Sequence, residues 1–503
     1  MRLGVGDLLL VSLVAVVGPS VGFGVLSDPG LGWHLRVPDV VCAGGFPTAD
    51  PFSDPPGRYW LANQWLGELP FWAGWKLAGW NGVAAVAVGL LLLTYRLLFV
   101  WLRADGVAWP VALGLCLLAA AAGYVGWLAR PTMFTTLFTA VVVRTVVRFH
   151  DGRLTARRLL WLPPLFAVWV NCHGGFVAGL FTLGLAAGLE LVMCVFGSPV
   201  VARSASEGVA PRWRFGLRPE EPAARRFLTL AAVGAGCTLA TLANPYGWRV
   251  YPWVFGLLGD PFFMNLNGEW KSPDFHDPAA ARFELLLLLT VGLLAVSRHR
   301  PNLVLVAASL FWLHQSLQGR RFTPIGVLVL TPLAGRLATG IEWVNAHPWV
   351  IDWKPLWGRE LAGNWLGPLL ALVGLVGWAA FAPRLTPDAP AVPEPVLREL
   401  LARWQPGEPV FHSPNHGGYL TLHGWPAFRT TIDDRNEVHG RARYEAYLAT
   451  EAAAPGWEAR LDEGRFAWVV AATGAALADR LAERPVQWRV EYADTEASLF
   501  RRR

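Results

Sequence analysis

Charged residues are few in this chain, and those equipped for chemistry stand at the ends of long apolar runs. Asp28 follows an apolar stretch over 7–26 and precedes Pro29-Gly30 and Trp33-His34. A carboxylate there serves as general base or metal ligand once burial and neighbours tune it; the competing reading is an Asp that ends a helix in a turn. The segment it opens, 27–68, also carries His34, Asp50 within Asp50-Pro51-Phe52-Ser53-Asp54, and Glu68 within Asn63-Gln64-Trp65-Leu66-Gly67-Glu68. Several carboxylates in one loop offer hard oxygen ligands to a divalent cation, yet their spacing fits no compact calcium loop.

Cations form the second group. Arg130 stands where a membrane span should be apolar, and Arg320 and Arg321 lie on the same predicted face. Guanidinium forks match phosphate oxygens bidentately, so the three can hold a phosphate; an arginine snorkelling to the interface is the equal alternative for Arg130. Asn171 and His173 flank a turn that Gly174-Gly175 permits. His173 is an acid, base or ligand, or a turn histidine bonded to backbone. Glu269 in Glu269-Trp270-Lys271 brings an acid to the same face, and Glu190, inside an apolar run, pairs internally or lies near the inner interface. His412, His416, His423 and His439 come without cysteines or a matched second pair, which argues against zinc. Asp433-Asp434-Arg435, closing a strand-like run, touches substrate or caps a helix.

These residues need a scaffold, and the composition says which kind. A chain of 503 residues that is 54% hydrophobic and only 16% charged, with a mean hydropathy of +0.36, is a polytopic membrane protein. The net charge of +6 does not call for nucleic acid, because the arginines fall mainly in short loops between apolar runs. Spans are predicted at 7–26, 82–102, 107–128, 132–149, 159–171, 174–196, 227–243, 283–297, 302–317, 322–338 and 366–382, about eleven in all. With the N-terminus inside, Arg103, the group from Arg148 to Arg158, the loop 197–226, and Arg298 with Arg300 all fall inside. The loop 27–68 then lies outside, with Arg130, Asn171, His173, Glu269, Arg320 and Arg321. At about 40 residues it exceeds a mere connector, and its Trp33, Trp60 and Trp65 argue against disorder, so it reads as a polar, irregular, folded loop. Residues 383–395 hold five prolines and form a semi-rigid linker, placed at 384–395 between the bundle of 1–383 and the end domain. Beyond it, 396–503 alternates strand-like runs at 409–411, 429–432, 467–471, 488–492 and 497–500 with helix-like ones near 442–452 and 475–483, a small soluble α/β domain. An odd number of spans puts that domain outside.

The order of these features resembles the GT-C superfamily of membrane glycosyltransferases, and more narrowly the bacterial polytopic proteins called family 39-like. Asp28, Trp33-His34-Leu35, Gly45, Pro47, Asp50-Pro51-Phe52-Ser53, Trp60 and Trp65-Leu66-Gly67-Glu68 match the first loop of that group. Arg130-Pro131, Asn171-Cys172-His173-Gly174-Gly175, Pro245-Tyr246-Gly247 and Glu269-Trp270-Lys271-Ser272-Pro273 follow in order. Gly417-Gly418-Tyr419-Leu420 and Ile432-Asp433-Asp434-Arg435 resemble its end domain. The resemblance implies a multi-pass protein of the bacterial inner (cytoplasmic) membrane that transfers a sugar from a polyprenyl-phosphate-linked donor to an acceptor on the outer face. Asp28 takes the catalytic role, with His34, Asp50 and Glu68 as further catalytic candidates. Arg130, Arg320 and Arg321 bind the donor phosphate, and Asn171, His173 and Glu269 line the pocket. Its partners are membrane lipid and the lipid-linked sugar, with a divalent cation such as Mg or Mn used by some members and no metal ligand assigned here. The expected fold is a GT-C-like all-α membrane bundle with a small α/β domain. A non-catalytic lipid- or glycan-binding membrane protein is the alternative. A transporter would show repeated halves, and the sequence contains none.

Overall fold

Apolar runs of this length must satisfy their backbone groups internally if lipid surrounds them, which leaves helix as the solution. The structure, a computed structural model, describes residues 24–196, 222–257, 260–342, 366–386 and 392–503. The first expected span lies outside the described residues up to position 23, as do most of the loop 197–226 and the centre of the linker. Helices occupy every later expected span: α2 (Trp65–Ala104), α3 (Trp109–Ala122), α4 (Thr132–His150), α5 (Leu162–Cys172), α6 (Phe176–Phe196), α7 (Ala223–Ala240), α10 (Pro278–Val296), α11 (Leu303–Gln318), α12 (Thr323–Ala338) and α13 (Leu366–Phe381). Short α8 (Val250–Leu257) and α9 (Pro261–Leu266) lie between α7 and α10. Among the described residues α2, α4 and α6 are long and apolar enough to cross a membrane, while Trp109–Ala122, Leu303–Gln318 and Leu369–Phe381 are shorter apolar helices. Helix α2 is two helices joined at Ala78 and Gly79, where Gly79 takes φ 58°, a value glycine tolerates.

Helix α12 forms the axis. All its residues from Thr323 to Ala338 are buried, with α2, α3, α4, α10 and α11 packed around it. At its C-terminal end Arg336 bridges Asp105 and Asp151, each at 2.7 Å, and Asp105 also pairs with Arg153 at 2.8 Å. Nearby Glu190 holds Arg226 through two bonds of 2.9 and 2.8 Å and His150 at 2.6 Å, so Glu190 is paired internally.

The first loop is irregular over 45–64, as expected, but not before it. Residues Leu31–Gly44 form helix α1, which the sequence disguises with an uncapped start at Gly30 and an internal Pro38. This helix receives the C-terminal domain. That domain begins at helix α14 (Glu394–Arg403), inside the expected linker, and continues through β1 (Val410–Phe411), α15 (Gly417–Gly424), α16 (Asn436–Glu451), α17 (Trp457–Glu463), β2 (Trp468–Ala472), α18 (Ala476–Ala482), β3 (Trp488–Ala493) and β4 (Ala497–Arg502). The sheet order is β1-β2-β4-β3, with β1 parallel to β2 and the other pairs antiparallel. Trp468 and Val470 of β2 pack against α14 and α15 on one face, and Val469 and Ala471 against α16 to α18 on the other. A strand covered on both faces is apolar without alternation, as Trp468-Val469-Val470-Ala471 is.

The strand expected at 429–432 does not join this sheet. Its backbone pairs with the first loop: Asp54 N donates to Thr430 O at 2.8 Å and Thr430 N to Phe52 O at 2.9 Å. The domain therefore docks by backbone as well as side chain. Cβ atoms added to Gly32 and Gly418 would overlap the carbonyl oxygens of Gly418 and Pro29, so α1 and α15 meet at glycines. Arg36 Nε donates to Leu422 O at 2.9 Å across the same contact.

Candidate active site at the docked interface

Asp28 and Arg130 are brought together by backbone: Ala129 N donates to Val25 O at 2.8 Å, aligning the two chains just before each residue. Asp28 is 4% exposed. Its Oδ1 accepts from Gly30 N at 2.8 Å, an Asx turn, and its Oδ2 faces Arg130 Nε at 3.4 Å. Arg130 continues to Glu269 Oε2 at 2.7 Å, and the other Glu269 oxygen faces Arg321 at 3.2 Å. Arg321 lies over the Trp270 ring, 4.0 Å from its centroid, and Arg320 N donates to Lys271 O at 2.9 Å. One carboxylate thus fixes two guanidiniums, while the Arg320 side chain stays exposed at the rim. Burial pushes the Glu269 carboxyl up, but Arg130 and then Arg321 outweigh it and hold it at about 2. Burial dominates at Asp28 and raises it above the ordinary carboxylate range despite Arg130.

His173 lies within the field of these arginines. Burial first, then Arg321 and Arg130, press it down to about 3, leaving it neutral. Its Nδ1 accepts from Gly175 N at 2.9 Å and from the Thr135 hydroxyl at 2.8 Å. Thr135 must donate there because Nδ1, which accepts from Gly175 N–H, carries no proton, and the Thr135 oxygen in turn accepts from the Trp169 indole at 3.0 Å. The remaining ring proton is therefore on Nε2.

Other predicted site residues have structural duties. The Asn171 amide is committed to Trp65 at 2.9 Å and to the carbonyls of Ala167 and Ala243, each at 2.8 Å. His34 Nδ1 and Glu68 Oε1 form a buried pair at 2.7 Å joining α1 to α2. Asp50 accepts from Arg435 at 2.7 Å and from Phe52 N at 3.0 Å. Arg435 also reaches Ser53 at 3.2 Å and Asp433 at 2.6 Å. Its guanidinium lies 5.4, 5.3 and 5.4 Å from the rings of Trp33, Phe52 and Trp60. Asp50 thus pins the end domain to the first loop.

The end domain also brings in Asp434, which the residue pattern left open between touching substrate and capping a helix. Trp33 Nε1 donates to Asp434 Oδ1 at 2.8 Å, and a Cβ on Gly30 would overlap Asp434 Oδ2. Burial, then Asp28 and Asp433, raise its carboxyl to about 8. Only the acidic doublet after Thr430-Thr431-Ile432 hinted at it. Among the described residues no group of three or more His, Cys, Asp or Glu is placed to hold a metal ion. Arg130 already lies where a cation would meet Asp28, so the donor set does not fit a metal.

No family model matches the chain, and no curated protein does. Among solved structures it is similar to the Archaeoglobus fulgidus oligosaccharyltransferase in the apo form, with a TM-score of 0.56 and 11% identity over 93% of this chain and 69% of that one. It is also similar to the A. fulgidus oligosaccharyltransferase AglB in complex with an inhibitory peptide and a dolichol-phosphate, with a TM-score of 0.53 and 12% identity over the same shares. ArnT from Cupriavidus metallidurans bound to undecaprenyl phosphate aligns over 97% of both chains at 15% identity and a TM-score of 0.48. At such identities the likeness to the oligosaccharyltransferase is one of fold: a helical bundle carrying a small C-terminal sheet domain.

Proposed function

We propose that the chain is a membrane-embedded glycosyltransferase that moves a sugar from a polyprenyl-phosphate-linked donor to an acceptor hydroxyl on the outer face. The ionic chain Asp28–Arg130–Glu269–Arg321, assembled from four distant segments, carries the reading. The shared fold with AglB, whose structure was solved with dolichol-phosphate, supports a lipid-linked donor. The acceptor O–H gives its proton to Asp28 as its oxygen bonds to the anomeric carbon. The carbon–oxygen bond to the phosphate breaks on the opposite side, inverting that carbon, and the electron pair leaves with the polyprenyl phosphate. Arg321, Arg130 and the rim residue Arg320 hold the departing phosphate, with the Nε2 proton of His173 as a further donor. A raised Asp28 suits a base working near neutral pH.

About eleven spans, a cytoplasmic N-terminus and an extracytoplasmic end domain in a bacterial inner membrane complete the proposal, with 1–383 as bundle, 384–395 as linker and 396–503 as end domain. In proteoliposomes holding a polyprenyl-phosphate sugar, Asp28→Asn lowers transfer by roughly 10²–10⁴-fold with the fold intact. Full activity removes Asp28 from the mechanism. Reporters fused near residues 210 and 450 should fall on opposite sides of the membrane; the same side for both breaks the topology.

A further inference from the structure

We propose that the C-terminal domain completes this site: Asp434 faces Asp28 across Gly30, the two carboxyl groups hold one proton between them, and Asp434 thereby positions Asp28 as the base. The consequence for catalysis rests on the transferase reading; the geometry does not. Both carboxyls lie against the same residue, because Gly30 N donates to Asp28 Oδ1 at 2.8 Å while Asp434 Oδ2 occupies the place of a Gly30 side chain. Trp33 holds the other Asp434 oxygen at 2.8 Å and so sets the direction of the group. Asp28 Oδ2 is buried without a hydrogen-bond partner among the described residues, with Arg130 Nε 3.4 Å away.

Charge counting leads to the same place. Asp28 is faced by Arg130, Glu269 and Asp434, and Asp434 by Asp28, Asp433, Arg130, Arg435 and Tyr444. Arg435 is shared by Asp433 and Asp50, and Arg130, Arg321 and the exposed Arg320 are left to balance Asp28, Asp434 and Glu269. Four guanidiniums cannot neutralise five carboxylates, and close carboxyl pairs resolve such an excess by keeping a proton. Burial and mutual repulsion raise both groups in keeping with this. In the resting pair the proton is on Asp434 and its O–H points toward the Asp28 carboxylate. The acceptor's proton then moves to Asp28 and leaves the pair to solvent after transfer, while the bonding electrons depart with the phosphate.

The test uses the full-length protein in lipid nanodiscs and two independent readouts. In the pH profile of kcat/KM, Asp434→Asn lowers kcat several-fold, abolishes the alkaline limb, and moves the acid limb up, since Asp28 loses the neighbouring O–H that favours its ionised form. Trp33→Phe removes a donor that favours ionised Asp434 and moves the alkaline limb upward. Infrared spectra at neutral pH show a protonated-carboxyl band in the parent protein that is lost in both Asp28→Asn and Asp434→Asn, each single change letting the other group ionise, over a background from other buried carboxyls such as Glu437 that is common to all three. Asp434→Asn with both limbs unmoved, a band that is absent from the parent or survives in both variants, or a divalent-cation requirement weakened by Asp434→Asn overturns the shared proton. A protein that transfers no sugar sinks the transferase reading, while the infrared result still decides the pair.

Discussion

Arg435→Met tests what holds the end domain over the site. The guanidinium is 1% exposed at the side chain, touches Asp50 at 2.7 Å and Asp433 at 2.6 Å, and lies among three aromatic rings. Methionine keeps the apolar stem and removes the charge, leaving buried Asp50 without its ion-pair partner and Asp433 with His439 alone at 2.9 Å. Breaking a buried pair by removing one partner costs about 3–5 kcal/mol. At about 1.4 kcal/mol per decade this is roughly a 10²- to 10⁴-fold rise in undocking. Hydrogen exchange at the amides of Asp54 and Thr430, whose bonds of 2.8 and 2.9 Å join the two parts, reads this opening directly. Both amides should exchange faster by that factor, while amides of β2, internal to the end domain, change much less. Adding Asp50→Asn recovers part of the loss by removing the orphaned charge. Protection within a few-fold of the parent at Asp54 and Thr430 refutes the claim that Arg435 pins the domain.

Other expectations concern the same contact and the domain behind it. Gly418→Ala places a methyl against Pro29 O; overpacking there costs about 1–3 kcal/mol, and both the thermal midpoint and sugar transfer fall together. Buried His412 and His416 are pressed by burial down to about 4 and about 3 from 6.5. Their folded values lie below the unfolded one, so the stability they contribute as neutral rings is complete above pH 6.5 and is lost as pH falls from there toward 3. Urea midpoints followed by exchange of β2 amides should drop between pH 7 and 5, and His416→Gln should shrink the drop.

Much of the scaffold was legible because lipid-facing helices leave few choices: an apolar run without charge has to close its own hydrogen bonds. Helix α1 escaped because Pro38 and a Gly30 start mimic a loop, and its stability comes from packing against α2 and α15 rather than from its own sequence. At the site, residue type pointed to Asp28, Arg130, Glu269 and Arg321, which the fold joins in one ionic chain. At Asp50 residue type gave no hint of the buried guanidinium it meets across the docked interface. Asp434 was visible as part of an acidic doublet, but its pairing was out of reach: its partner Trp33 is 401 positions away, and no local pattern encodes such a pairing. Asn171 looked chemical because an amide beside a histidine can bind many things, but its donors and acceptor are all committed to neighbouring chain.

The axial helix α12 carries a consequence of its own. At about 1.5 Å per residue its sixteen residues span about 24 Å, from the Arg320–Arg321 turn at one end to the Asp105–Arg336–Asp151 clasp at the other. A rod locked at its foot sets both the height and the heading of whatever tops it. Losing or gaining a single residue between Thr323 and Arg336 would swing Arg321 by about 100° away from Glu269. Length along this one helix is therefore as strict a requirement as the identity of any charged group it presents.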